Sequence, residues 1–291
     1  MIDQVGATSL ADLDVKQARV GIPLDFWAPS QGDYHDDAQA HAAFLIMQLL
    51  SHKGIQIIGS VWEGPQWLLP GQPGKGQRVL DPNQYGACIG AIAQFLVTAR
   101  DKYGVTADYF SFNEANYGVN FLFTPDTIDT FIKQAGARFA QLGLKTKFLV
   151  RDTTSIAPFA NYVQTLIHDP AVQPYLGSLS FHCWDALSAT DSQFTSIAEI
   201  GRQTGKPIYC TEAGWAASAG PLRSERSVLI VAPSAAADVS LTGLIPSSTM
   251  VETLSNKDSQ DNPAAVRLKV DSHGSSKVPV GARSVVCLKS E

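Results

Sequence analysis

The sequence predicts an α/β protein: an incomplete (β/α)8 barrel followed by a small antiparallel, β-sandwich-like domain. Three observations carry that expectation. From about residue 18 to 212, short apolar β-prone runs alternate with longer amphipathic segments, the pattern of repeated βα units. No GxGxxG or GxxxxGK[ST] phosphate loop follows any of these runs, which favours a barrel over an open nucleotide-binding sheet. After Trp215 the chain contains no Phe, Trp or Tyr and shifts to short β-prone runs separated by Pro, Ser, Asn and Gly clusters. The expected domains are therefore residues 1–216, a catalytic barrel, and 217–291, a partial all-β domain with a structural role.

Taken in order, the expected strands are "ARVGIPL" (18–24), "IQIIGSV" (55–61), "DYFSFN" (108–113), "TKFLV" (146–150), "SLSFHCW" (178–184) and "PIYCTE" (207–212). Helices between them declare themselves by their ends. "DDAQAHAAFLIMQLLSHKG" closes at Gly54, Asp81-Pro82 opens a helix that Gly104 closes, and Thr124-Pro125 opens another that Gly143 closes. "TSLADLDVKQ", capped by Thr8 or Ser9, predicts a helix before the first strand. In the C-terminal part, "SVLIVA", "ADVSL", "TMVETL", "AAVRLKV" and "RSVVCL" read as short strands. Six barrel strands fall short of the eight that close such a barrel. The interval between Glu212 and "SVLIVA" is too short for a further helix, strand and helix. The open wall leaves two unpaired strand edges, a route to self-association.

Composition excludes several function classes. With 45% apolar and 17% charged residues over 291 positions, the chain is globular, and at a net charge of −5 with no dense Lys/Arg run it is not expected to bind nucleic acid. No apolar run is long enough to predict a membrane span, and "MIDQVGATSL" lacks the basic-then-apolar pattern of a secretion signal, which leaves localisation open. Cys88, Cys183, Cys210 and Cys287 lie far apart without CxxC spacing, so neither a metal site nor a disulfide framework is expected.

The active site of a (β/α)8 barrel lies at the C-terminal ends of its strands. Those ends carry Asp25 and Trp27, then Trp62, Glu63 and Trp67, Asn113 and Glu114, Arg151 and Asp152, His182, Trp184 and Asp185, and finally Glu212 and Trp215, which include all five tryptophans of the chain. Flat aromatic faces beside carboxylates suit sugar rings, whose C–H faces stack while their hydroxyls seek hydrogen bonds. Glu114 and Glu212 stand out because retaining cleavage of a glycosidic bond needs one carboxylic acid to protonate the leaving oxygen and one carboxylate to attack the anomeric carbon. The competing reading makes either glutamate a buried partner of Arg19 or Arg151.

These residues carry a resemblance. "FSFNEA" and "IYCTEAGW" look like the acid/base and nucleophile segments of the clan A glycoside hydrolases, and "VWEGPQWLL" with the trailing β domain is most similar to family 30 and its relatives. The resemblance implies a retaining double displacement on a carbohydrate substrate, with neither metal nor organic cofactor. It assigns Glu114 as acid/base and Glu212 as nucleophile. Asn113 becomes the amide that meets the sugar 2-hydroxyl, His182 the histidine after strand six, and Arg19 the arginine that supports the nucleophile. Trp184 stands where the clan often has Tyr, with an indole N–H in place of the hydroxyl. Trp27, Trp62, Trp67 and Trp215 are expected to line the sugar site. An inactive carbohydrate-binding barrel is the alternative.

Overall fold

The computed structural model describes residues 15–71, 78–117, 121–185, 188–212, 227–231, 237–241, 249–256, 265–273, 275–280 and 284–290. The chain divides into two compact units, the first comprising Met1–His182 and Ala189–Thr211 and the second Cys183–Ser188 and Glu212–Glu291.

In the first unit, six strands form one sheet in chain order: β1 (Gln17–Gly21), β2 (Gln56–Val61), β3 (Tyr109–Phe112), β4 (Lys147–Thr153), β5 (Leu176–His182) and β6 (Ile208–Glu212). The ladders from β1 to β5 are parallel, beginning with Gln17 opposite Gln56, whose side-chain amides also bond at 2.7 Å. Between consecutive strands lie α1 (Ala38–His52), α2 (Tyr85–Tyr103), α3 (Pro125–Gln141), α4 (Phe159–His168) and α5 (Asp191–Thr204). The result is a partial (β/α)8 barrel, with six of its eight strands, as the alternation of periods predicts.

Local signals account for these helices. Asp37 accepts from the backbone N–H groups of Gln39 and Ala40 at the start of α1, while Thr124 with Thr127 and Thr190 with Gln193 form reciprocal capping boxes on α3 and α5. Gly104 and Gly205 close α2 and α5 in the left-handed region, at φ 66° and 61°, where a side chain would be strained. Phe110 and Phe148 of the sheet pack at 5.7 Å, and Phe139 of α3 stacks on Phe148 at 5.5 Å. Each such ring, removed from water, contributes about 1.5–3 kcal/mol. At Gly177 the close approach of strands is direct, since an added Cβ would come within 2.6 Å of the Tyr109 ring.

Burial grades across the sheet. All of β2 and β4 beyond their first residues is buried, the mark of strands covered on both faces, whereas β1 and β6 are mostly half-buried. Those two are the strands with only one neighbour in the sheet.

In the second unit, β7 (Ser227–Val231), β9 (Thr249–Asn256), β10 (Ala265–Lys269) and β12 (Ser284–Ser290) form an antiparallel sheet in the order β10-β9-β12-β7. A separate antiparallel pair joins β8 (Ala237–Leu241) to β11 (Ser276–Val280). Sequence reasoning misses β11 because Pro279 interrupts its run. Here Pro279 faces Asp238 in a two-stranded pair, where every strand is an edge and a missing N–H is tolerated. The helix expected in "TSLADLDVKQ" lies outside the described residues for most of its length, and residues 15 and 16 precede β1 without helical structure.

Candidate active site

The site is built where the strands end. After Phe112 closes β3, the Asn113 N–H donates to the Val61 carbonyl at 2.9 Å, which carries the chain one step along β2 before it turns. Glu114 makes that turn at φ 49°, in the left-handed region. Asp152, next to last in β4, does the same at φ 46°. Among the described residues these are the two non-glycine positions with positive φ. A left-handed non-glycine residue costs on the order of 1–3 kcal/mol, and such residues cluster at functional sites.

His182, the last residue of β5, is fully buried between these two carboxylates. Its Nδ1 lies 3.2 Å from Glu114 Oε1 and its Nε2 3.4 Å from Asp152 Oδ1. Asp152 is itself fully buried. Its N–H donates to Ser180 Oγ at 3.0 Å, Arg19 Nη1 donates to its Oδ2 at 3.0 Å, and the Thr211 hydroxyl donates to its Oδ1. Arg19 Nη1 also donates to Asn113 Oδ1 at 3.2 Å, and its guanidinium lies 4.6 Å from the Trp62 ring centre. Contacts thus run from Glu114 through His182, Asp152 and Arg19 to Asn113, the residue adjacent to Glu114 in the chain. Such closure keeps a buried carboxylate compensated by a cation and by hydrogen bonds, without which its burial is costly. Both ring nitrogens of His182 face carboxylates, so a metal ion would have to displace one of them.

Of the residues expected from the sequence, Arg19, Asn113, Glu114 and His182 come together, with Trp62 under the guanidinium. Arg19 also forms an ion pair at 3.0 Å, its partner being Asp152. Arg151 donates to the Pro125 carbonyl at 3.0 Å.

Trp67 is half-buried and donates to the Ala28 carbonyl at 2.7 Å. Trp27 requires a correction. It is 3% exposed, donates to the Ala91 carbonyl of α2 at 3.1 Å, and sits edge-on to Phe44 of α1 and Phe95 of α2 while Tyr34 stacks on it. Its ring serves the helix layer and offers no open face to a sugar.

Glu212 and Trp184 fall in the second unit. Glu212 is the last residue of β6, and its carbonyl accepts from the Cys183 N–H at 2.8 Å; Trp184 is 51% exposed. Trp215 lies outside the described residues.

Ser180 and Thr211 are the residues sequence reasoning misses, and Asp152, expected among the polar residues at the strand ends, has no role assigned to it there. The expected fourth strand stops at Val150, just short of Asp152; β4 continues to Thr153, and Asp152 reaches Arg19 from within the strand.

Solved structures share this fold. A glycoside hydrolase family 30 subfamily 8 xylanase from Clostridium acetobutylicum matches with a TM-score of 0.60 at 14% identity, covering 98% of this chain and 91% of that chain. A family 30 endoxylanase from Clostridium papyrosolvens matches at 0.54 and 15% identity over the same shares, and SrfJ from Salmonella typhimurium at 0.55 and 13%, covering 98% of this chain and 84% of that one. The resemblance to clan A glycoside hydrolases is thus met in the fold, at low identity over most of the chain. No protein-family model matches the sequence, and no curated protein matches it.

Proposed function

We propose that this chain is a retaining β-glycoside hydrolase acting on the O-glycosidic bond of an oligo- or polysaccharide or a glycoconjugate. The observation that carries the reading is Glu114, held in a strained left-handed backbone against a fully buried histidine at the strand ends of a partial barrel whose fold is that of family 30 xylanases.

In this reading Glu114 gives its proton to the leaving oxygen while the Glu212 carboxylate attacks the anomeric carbon, forming a glycosyl ester. Glu114 then takes a proton from water as that water displaces Glu212. The mechanism requires the two carboxyl groups about 5–5.5 Å apart. Asn113 fits its role chemically: Arg19 occupies its amide oxygen, so its NH2 is the end that donates to a sugar 2-hydroxyl. Trp62, Trp67, Trp184 and Trp215 supply apolar faces for the sugar. Residues 1–216 form the catalytic domain and 217–291 a partial, sandwich-like β domain. Neither metal nor organic cofactor takes part.

A panel of aryl β-glycosides tests the assignment, headed by β-xylosides because two of the fold neighbours are xylanases. Turnover in the wild type that disappears in Glu212→Ala is expected; turnover unchanged by that substitution sinks the assignment.

The half-buried edge strands β1 and β6 favour a second reading, a carbohydrate-binding barrel without turnover, and the same edges offer a surface for self-association. Saturable quenching of tryptophan fluorescence by xylo-oligosaccharides with no product formed would select the binding reading over the hydrolase.

A further inference from the structure

Between the sheet and α3 lies a cavity of about 10 Å³. Residues of β3, β4 and α3 wall it: Arg151, Ser111 and seven apolar residues that include Phe112, Phe131 and Phe148. Arg151 is 1% exposed, and its Nε and Nη1 have no hydrogen-bond partner among the described residues. We infer that this cavity is a binding site for one small monovalent anion of the size of chloride, held on the Arg151 guanidinium. The site lies beyond the glycosidase reading and does not depend on it.

Donors come first. A guanidinium carries five N–H groups in a planar fork, with two edges that each present a pair of donors to a single acceptor. The Pro125 carbonyl takes one hydrogen of Nη2 at 3.0 Å, which leaves the other edge whole. Charge comes second. Burial brings the pKa of this group down to about 10, so it is a cation at neutral pH. The carboxylates that act on it, Asp126 and Asp129 of α3, do so without a hydrogen bond or ion pair to it among the described residues, and Asp129 Oδ2 already accepts from Lys133 at 3.2 Å.

An anion on the open edge supplies both the acceptor and the countercharge that a buried cation needs. A water molecule supplies only the acceptor. It also brings two hydrogens, and the one lining side chain able to accept them is Ser111, whose hydroxyl already bonds Ser60 Oγ at 2.9 Å. A halide has no hydrogens to place. The volume admits one occupant of about the size of a water or a halide ion, which excludes carboxylates, phosphate and sulfate.

Urea unfolding at constant ionic strength, with chloride exchanged for the larger methanesulfonate, tests the site. A ligand that binds only the folded chain lowers the unfolding constant in proportion to its concentration once that exceeds the Kd. Between about 5 and 500 mM chloride, the wild-type unfolding constant should fall about tenfold, and that of Arg151→Met should not move. In methanesulfonate the variant, relieved of a buried charge, should begin more stable than the wild type and lose that lead as chloride rises. A wild type indifferent to chloride overturns the inference, and is the result expected if a water or the more distant Asp129 serves the guanidinium instead. A variant that responds as the wild type does also overturns it.

A bromide soak read by anomalous scattering locates the ion without any variant. One peak within hydrogen-bond distance of the open guanidinium edge is expected. A cavity that holds water or nothing overturns the inference. So does a peak accompanied by a flat chloride titration, which marks binding at crystal concentration only.

Discussion

Two arginines on strands of one sheet meet different surroundings. Arg19 of β1 reaches a fully buried carboxylate at the strand ends, 3.0 Å from Asp152, and lies over the Trp62 ring. Arg151 of β4 turns to the helix side, where its Nη2 donates to the Pro125 carbonyl and its guanidinium lies 4.6 Å from the Tyr162 ring. Its Nε and Nη1 have no hydrogen-bond partner among the described residues, and no carboxylate there lies within ion-pair distance. Burial pushes this guanidinium down to about 10, so at neutral pH it remains charged inside the protein. Asp152, the next residue, points the other way into the network at the strand ends. One strand thus carries a polar set closed by an ion pair on one face and, on the other, a buried guanidinium with two nitrogens left without a hydrogen-bond partner among the described residues. The closed set coincides with the candidate site; the open one faces the helix layer.

Substituting each arginine breaks the comparison most sharply. Arg19→Met leaves the Asp152 carboxylate buried without its cation, and removing one partner of a buried pair costs about 3–5 kcal/mol. Urea unfolding followed by tryptophan fluorescence reads this. A loss under about 1 kcal/mol would mean that the ion pair does not hold the network.

Arg151→Met should move stability the other way. It exchanges a buried, partly unsatisfied charge for an apolar side chain of similar length, and the desolvation relieved outweighs one hydrogen bond and one cation–π contact, for a gain of roughly 1–2 kcal/mol. The same urea titration measures it, and a destabilised Arg151→Met chain would show that the charge on the helix side is compensated after all.

The contrast also explains what could be read from the sequence. Strand existence and helix ends rest on local signals, and all six barrel strands sit within a few residues of their expected places because period, caps and left-handed glycines act over single turns. The side on which a residue falls depends on register, which a boundary error of a few residues hides. Ending the fourth strand at Val150 leaves Asp152 visible as a polar residue at a strand end but hides the face it occupies, and with that its place at the hub of the network. Trp27 shows a related limit. The single helical turn Leu24–Trp27 that follows β1 rotates the indole into the layer of Phe44 and Phe95, a direction that nothing in "LDFWAPS" announces. Glu114 and His182 were legible because strand-end position and residue type are both visible in the chain, though the bond between them is a tertiary fact.

Backbone strain at Glu114 sharpens the comparison on the smallest scale, because it separates what the carboxylate does from what its backbone costs. Glu114→Ala and Glu114→Gly both remove the side chain that meets His182, so both should lose acid/base turnover of phenyl β-glycosides. They differ in the backbone. Ala keeps the left-handed penalty at φ 49°, whereas Gly adopts that region freely at the expense of greater unfolded-state entropy. The strain relieved is on the order of 1–3 kcal/mol and the entropy lost about 0.4–1, so Glu114→Gly should be the more stable of the pair by about 1 kcal/mol. This reverses the usual order of the two residues inside regular structure. Paired urea titrations of the two variants measure the difference directly, and an Ala variant equal to or better than Gly would show that the turn carries no strain for the site to hold.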